Sequence, residues 1–256
     1  MIRIYQFLLV TLIGLLLTSC ASSEKFALLQ NVSATSGEKI ADFQATLQPD
    51  DLLMIIISAE NPIIAQPYNL LTVAVSNNTE MASSQQRVLS YQIDQEGNIQ
   101  MPGLGTVHAA GKTRNQLVEE IKKLLTGKIN NPVVTVRILN YKISVQGEVN
   151  HPGTFPITSE RVTLLEALSM AGDLTIYGKR DNILVIREEN GVKSFQKVDI
   201  TKGDFINSPY YYLSQNDVVY VEPNKTKVNS SVIGPNITVG ISALSLIITI
   251  VALTTR

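Results

Sequence analysis

Cysteine is nearly missing from this chain: Cys20 is the one residue of its kind in 256, tryptophan is absent, and there are two histidines. A lone thiol has no intramolecular partner, which excludes a disulfide framework. His108 and His151 stand in no metal-ligand spacing such as H-E-x-x-H, so neither a metal nor a cofactor is expected. Charge is balanced at 21 basic against 22 acidic residues, a formal −1, which leaves no electrostatic footprint for nucleic acid. No G-x-S-x-G elbow and no P-loop occurs. Gly103-Leu104-Gly105 begins like a dinucleotide loop but lacks the third glycine and leads into no helix, so it reads as a turn. The carboxylate pairs Asp50/Asp51 and Glu188/Glu189 read as solvated turn residues, although a glycosidase pair would meet only in the fold. No enzymatic site is legible.

Hydrophobicity is concentrated at the two ends. Arg3, the apolar run Phe7 to Leu17 and the small-residue stretch Leu17-Thr18-Ser19-Cys20 make a secretory signal peptide over residues 1–19. Its apolar run is too short to cross a bilayer, which takes about 20 residues. Cys20 sits where a bacterial lipobox places its modified cysteine, so it is expected to carry lipid. At the other end no charged residue stands between Lys227 and Arg256, and 232–255 is expected to form a transmembrane helix after a linker at 224–231. Membrane lipid is thus an expected partner at both ends.

Residues 20–46 read as the lipidated N-terminus and a tether to the first domain. "LQPDDLLMIIIS" (47–58) places a turn before a continuous apolar strand of the kind buried on both faces. The phrase returns as "LSQNDVVYVEP" (213–223), with Leu47 matching Leu213 and Asp51 matching Asp217. Residues 91–107 alternate around Glu96-Gly97-Asn98 as a hairpin. Thr113 and Gln116 form a capping box, and Leu117, Ile121, Leu124 and Leu125 an apolar stripe that Gly127 ends. With the strand 131–139 this makes an α+β unit over 47–140. In the second unit, 141–223, Pro152-Gly153 fits a type II turn. Thr163 and Glu166 cap a short helix whose inner face is Leu165, Leu168 and Ala171, and Asn190-Gly191 is a strong hairpin signal. The order of elements suits a small β-grasp domain.

"LQPDDLLMI", "IDQEGNIQMPGLGTVHAAGKTRNQLVEEI" and "NPVVTVRI" resemble the polysaccharide biosynthesis/export domain of outer-membrane capsule and exopolysaccharide exporters. "VQGEVNHPGTFPI", "TLLEALSMAGD" and "LSQNDVVYVEP" resemble the soluble-ligand-binding β-grasp (SLBB) module that follows it. The resemblance implies an α+β fold and an outer-membrane lipoprotein with periplasmic domains. It also implies a homo-oligomeric ring that passes a polysaccharide chain, served by an inner-membrane polysaccharide co-polymerase/tyrosine kinase. One helix encloses no pore, whereas a ring of helices does. On a helical wheel Thr238, Ser242, Ser245 and Thr249 share one stripe, which would line that pore. The competing reading is a membrane-anchored sugar-binding or scaffolding lipoprotein without a pore, its hydroxyls bonded within or between helices.

Overall fold

The computed structural model describes residues 26–31, 45–70, 89–189, 191–232 and 235–254, and in the last helix the side chains of 239–243, 245–250, 253 and 254. The signal peptide, Cys20 and Asn190 lie outside the described residues. Two hydrophobic cores follow one another along the chain, one drawn from Leu47 to Val136 and one from Tyr141 to Val221.

The first core is built on a three-stranded antiparallel sheet, with β1 (Leu52–Ser58) between β2 (Tyr91–Gln92) and β5 (Val133–Ile138). The register pairs Leu53 with Ile138, Ile55 with Val136 and Ile57 with Val134, so strand alternation puts all six on one face. After the short α1 (Pro62–Ala65), the helix α2 (Arg114–Leu125) covers that face. The Thr113/Gln116 capping box forms at its start, and Leu117, Ile121 and Leu125 are fully buried. Leu124 is 40% exposed, because burial follows the i, i+4 spacing and 124 falls beside it. Nor is β1 buried on both faces: Ile56 is 45% exposed, since the helix covers one side of this sheet only. The expected hairpin is displaced as well. A turn does close at 94–97, where the Asp94 side chain accepts from the Glu96 and Asn98 amides. The hydrogen-bonded ladder, however, joins β3 (Asn98–Met101) to β4 (Gly105–His108) around 102–104.

The second core fills a five-stranded mixed sheet in the order β10-β9-β12-β6-β7. These strands are β6 (Lys142–Gly147), β7 (Gly153–Pro156), β9 (Gly178–Glu189), β10 (Val192–Val198) and β12 (Val218–Pro223); β8 (Val162–Thr163) and β11 (Tyr212–Leu213) pair separately. First and last strands of the unit lie side by side and parallel, Val219 against Val145. The helix α3 (Leu164–Met170) opens with the expected Thr163/Glu166 capping box, but it buries Leu164, Ala167 and Leu168 and leaves Leu165 only half-buried. Gly153 takes no positive φ. It opens β7, paired with Val145, so the type II turn at Pro152-Gly153 is not formed and 148–152 make the reversal. Glycine is needed at Gly147 instead: φ is 90° and a Cβ there would stand 2.1 Å from the Val221 carbonyl oxygen.

The chain leaves this sheet through α4 (Lys225–Val232) and α5 (Pro235–Thr254). Counted over described side chains, no helix is long and apolar enough to cross a membrane. Within the expected span 232–255, residues Pro235–Thr254 are helical. The N-terminal stretch is more than a tether to the first unit: Leu29 and Gln30 donate to the Ile200 and Thr201 carbonyls, and Gly203 donates back to Gln30. Residues 26–31 are therefore docked on the second unit.

Candidate functional site

The best-organised polar structure lies where the two units meet, and it is made from the repeated phrase. In the first copy the Asp51 amide donates to the Gln48 carbonyl at 3.2 Å while Gln48 N–H donates to the Asp51 carboxylate at 2.9 Å. In the second, the Asp217 amide donates to the Ser214 carbonyl at 3.2 Å and Ser214 N–H to the Asp217 carboxylate at 2.8 Å. Asp50 and Asn216 take positive φ, 70° and 63°, at matching positions. The leucines that open the phrases, Leu47 and Leu213, are both buried. An acidic residue whose carboxylate closes its own turn is the physical content of the repeat.

Asn140 and Gln215 lock the two turns together. Asn140 accepts from the Leu52 amide at 2.9 Å and donates to the Asp50 carbonyl at 3.0 Å. Gln215 accepts from the Lys142 amide at 2.8 Å, donates to the Asn140 carbonyl at 2.9 Å and hydrogen-bonds Asp51. Ile138 packs against both cores, and the exposed Arg114–Glu160 ion pair spans the units at 2.5 Å. The joint is thus held by paired amide groups on backbone atoms, which fixes its angle more sharply than apolar contact does.

The two acids differ in what faces them. Asp217 is fully buried and receives Arg187 through Nε at 3.1 Å and Nη2 at 2.7 Å; that Nη2 also donates to the Tyr212 carbonyl. Burial pushes the Asp217 carboxyl up and the Arg187 guanidinium pulls it only part of the way back, leaving it above the ordinary carboxylate value. Burial works against the Arg187 cation too, but Asp217 overrides it and holds its pKa above the ordinary arginine value. Asp51, 1% exposed, faces no cation among the described residues: burial pushes its carboxyl up to about 6, against the Gln48 amide and the Gln215 side chain, with Asp50 raising it further. The expectation that Asp50 and Asp51 form a solvated pair thus fails for Asp51. Asp50 is exposed and accepts from Gln92 and Gln95. Nearby, burial pushes the Tyr141 phenol up, and its hydroxyl donates to the Leu213 carbonyl at 2.6 Å.

The other residues singled out in the sequence are spread out. Gly191 closes the β9–β10 hairpin, paired Val192 to Glu189. On α5, Ser245 donates to the Ser242 carbonyl and Thr249 to the Ser245 carbonyl, both at 2.8 Å; the Thr238 side chain lies outside the described residues. His108 meets Asn98 at 3.1 Å and His151 is exposed. Among the described residues no cluster of His, Cys, Asp or Glu is arranged for a metal ion. A cavity of about 460 Å³ beside α3 is lined by Pro156, Ile157, Val162, Met170 and Glu166, and Glu166 is tied up in its capping box.

Comparison with known proteins matches residues 41–139 to the family described as polysaccharide biosynthesis/export protein and residues 141–221 to the SLBB domain. The chain belongs to the polysaccharide biosynthesis/export family. The first matched segment ends and the second begins beside Asn140, and each contains one copy of the acid-closed turn. Among relatives, the EPS I polysaccharide export outer membrane protein EpsA of Ralstonia solanacearum is 29% identical over 193 residues, covering 73% of this chain and 50% of that protein. EpsA of Ralstonia nicotianae is 31% identical over 141 residues, covering 54% and 37%. The exopolysaccharide production protein ExoF of Rhizobium meliloti is 32% identical over 88 residues, covering 33% and 21%. The chain spans half or less of the length of these export-family relatives.

Proposed function

We propose that this chain is a lipoprotein subunit of an outer-membrane conduit for polysaccharide. In this reading it is acylated at Cys20, crosses the membrane with 232–255, and holds its two folded units in the periplasm. It assembles as a homo-oligomeric ring that receives its polysaccharide chain from an inner-membrane co-polymerase/tyrosine kinase. One observation carries the reading beyond family membership: Phe26, at the start of the described N-terminal segment, and Asn224, at the start of the C-terminal helices, lie at the same end of the second sheet. Phe26 lies under Arg180, whose guanidinium bonds the Thr175 and Gly178 carbonyls, and Asn224, just beyond β12, donates to the Tyr177 carbonyl. The joint at Asp217 is at the opposite end of β12. Lipid, β-grasp unit and export unit then follow in a line, as a subunit reaching inward from the outer membrane requires.

The 20 residues of α5 make a helix about 30 Å long at 1.5 Å per residue, the thickness of a hydrocarbon core. The sequence puts no charge between Lys227 and Arg256. A specific observation favours the second reading, an anchored scaffold without a pore: the described hydroxyls at Ser245 and Thr249 already bond their own helix, so they do not demand water. Single cysteines at 238, 242, 245 and 249, against 241, 244 and 248, separate the two. A lumen makes the first set reactive to a membrane-impermeant thiol reagent and the second silent. Uniform silence, with export intact after deletion of 232–256, establishes the scaffold. Electron microscopy of the detergent-extracted protein tests the ring directly.

A further inference from the structure

We infer that the end of the second sheet where Phe26 meets the 175–178 loop and the start of α4 is a membrane-interface patch, which rests on the bilayer surface and orients the subunit. The inference rests on the reading in which Cys20 and α5 are held in lipid. Phe26, Ile176, Tyr177 and Val228 are 42%, 65%, 37% and 50% exposed. Single exposed apolar side chains are ordinary; these four are brought together. Arg180 joins Phe26 to the 175–178 loop through its carbonyl bonds. The Asn224 amide on the Tyr177 carbonyl, and the Val228 amide on the Asn224 carbonyl, join that loop to the start of α4.

Their chemistry is that of an interface. The Arg180 guanidinium lies 5.4 Å from the Phe26 ring centroid and the Lys227 ammonium 5.2 Å from the Tyr177 ring. Cations held over aromatic rings beside bare aliphatic side chains suit the headgroup layer, where apolar bodies meet lipid and charged tips meet water or phosphate. Lys227 is 3.6 Å from Glu148, so apolar contact should outweigh attraction to anionic lipid. Reach agrees: the six residues from Cys20 to Phe26 span at most about 20 Å, and the eight residues of α4 about 12 Å as a helix. A second copy is the alternative occupant. In a ring, however, every copy turns this end toward the same membrane, and like patches cannot then face one another.

The test uses the full-length, processed protein in vesicles of phosphatidylethanolamine and phosphatidylglycerol. Environment-sensitive fluorophores are placed at Ile176→Cys, at Val192→Cys and at Ile248→Cys. Val192, 68% exposed, opens β10 beside the far end of β9, opposite Glu189. Acylation would consume the native thiol, so the parent protein should take no label. The expected result is a blue-shifted label at 176, quenched several-fold more strongly by headgroup-level spin-labelled lipid than the label at 192. If 248 is quenched while 176 behaves like 192, the patch inference is overturned and the anchor reading stands. If the 176 label is blue-shifted but insensitive to the lipid quencher, a protein neighbour covers the patch and the inference fails. Silence at both 176 and 248 removes the anchor reading itself. A Tyr177→Ala variant, made as a second measure, should weaken quenching at 176 while leaving that at 248 unchanged.

Discussion

Replacing each turn-closing aspartate by asparagine should give opposite results, although the two turns share their backbone geometry. For Asp51 the folded pKa lies above the unfolded one, so the protonated form is favoured by the fold. Its stabilisation is complete below about pH 4 and is lost as pH rises through about 6. Raising the pKa from 3.8 to about 6, at about 1.4 kcal/mol per pH unit, amounts to about 3 kcal/mol against the folded state at pH 8. Asparagine keeps an acceptor for the Gln48 amide and the Gln215 side chain without the buried charge. Asp51→Asn should therefore raise the melting temperature at pH 8, by roughly 5 to 10 °C at most for a chain of this size, and change little at pH 4. Asp217→Asn leaves Arg187 buried without its partner and should lose about 3 to 5 kcal/mol at neutral pH. Differential scanning fluorimetry of the detergent-extracted protein between pH 4 and 8 reads both. If Asp51→Asn melts below the wild type at pH 8, or its pH profile keeps the wild-type slope, the reasoning about an uncompensated carboxylate is refuted.

Cys20→Ser should leave an unacylated, uncut precursor, which mass spectrometry of the N-terminus checks; an unmodified mature residue other than Cys20 in the wild type would remove the lipid anchor. Gly147→Ala should destabilise the second unit by roughly 2 to 5 kcal/mol, since φ is 90° and a Cβ there would meet the Val221 carbonyl oxygen at 2.1 Å. Gly153→Ala, whose Cβ would find only the Phe155 ring at 3.7 Å, should shift the melting temperature by no more than a degree or two. Asn140→Ala removes the side chain that holds the Leu52 amide and the Asp50 carbonyl and should cost about 1 to 3 kcal/mol. It should also loosen the angle between the units, visible as a broader distribution of distances between spin labels on α2 and β10.

Local chemistry was legible and pairing was not. Both capping boxes could be read because a threonine and a Glu or Gln three residues on answer the needs of backbone amides within one turn of helix. The strand at 52–58 was legible as a strand, but its apolar run concealed which residues would be covered, and Ile56 stayed exposed because one helix covers one face. The hairpin at 91–107 was misplaced for a related reason. Asp94 makes a real turn with its side chain, yet β2 pairs back to β1 rather than to β3, and no residue within the stretch records a partner some forty positions earlier. Pro152-Gly153 carries the composition of a turn, but the parallel approach of β12 to β6 moves the demand for positive φ to Gly147.

The joint shows the same boundary within one motif. Matching Leu47 to Leu213 and Asp51 to Asp217 identifies two turns correctly, because each aspartate's first duty is to the amide three residues before it. What the carboxylate meets next is decided elsewhere. Arg187 reaches Asp217 because β9 lies beside β12, with Ile186 opposite Val218, and the strand pairing turns the guanidinium toward the acid-closed turn. On the first sheet the polar group that reaches Asp51 is Gln215, carried on the other turn. One phrase thus yields an ion pair inside the second unit and a hydrogen bond from a neutral amide across the boundary. The difference follows from topology: the strand beside the second turn carries an arginine, whereas the side chain that reaches the first is a glutamine from across the boundary. Burial pushes both carboxyls up, but only Asp217 has a guanidinium pulling it back, so the turn at the boundary holds the acid whose burial no cation offsets among the described residues.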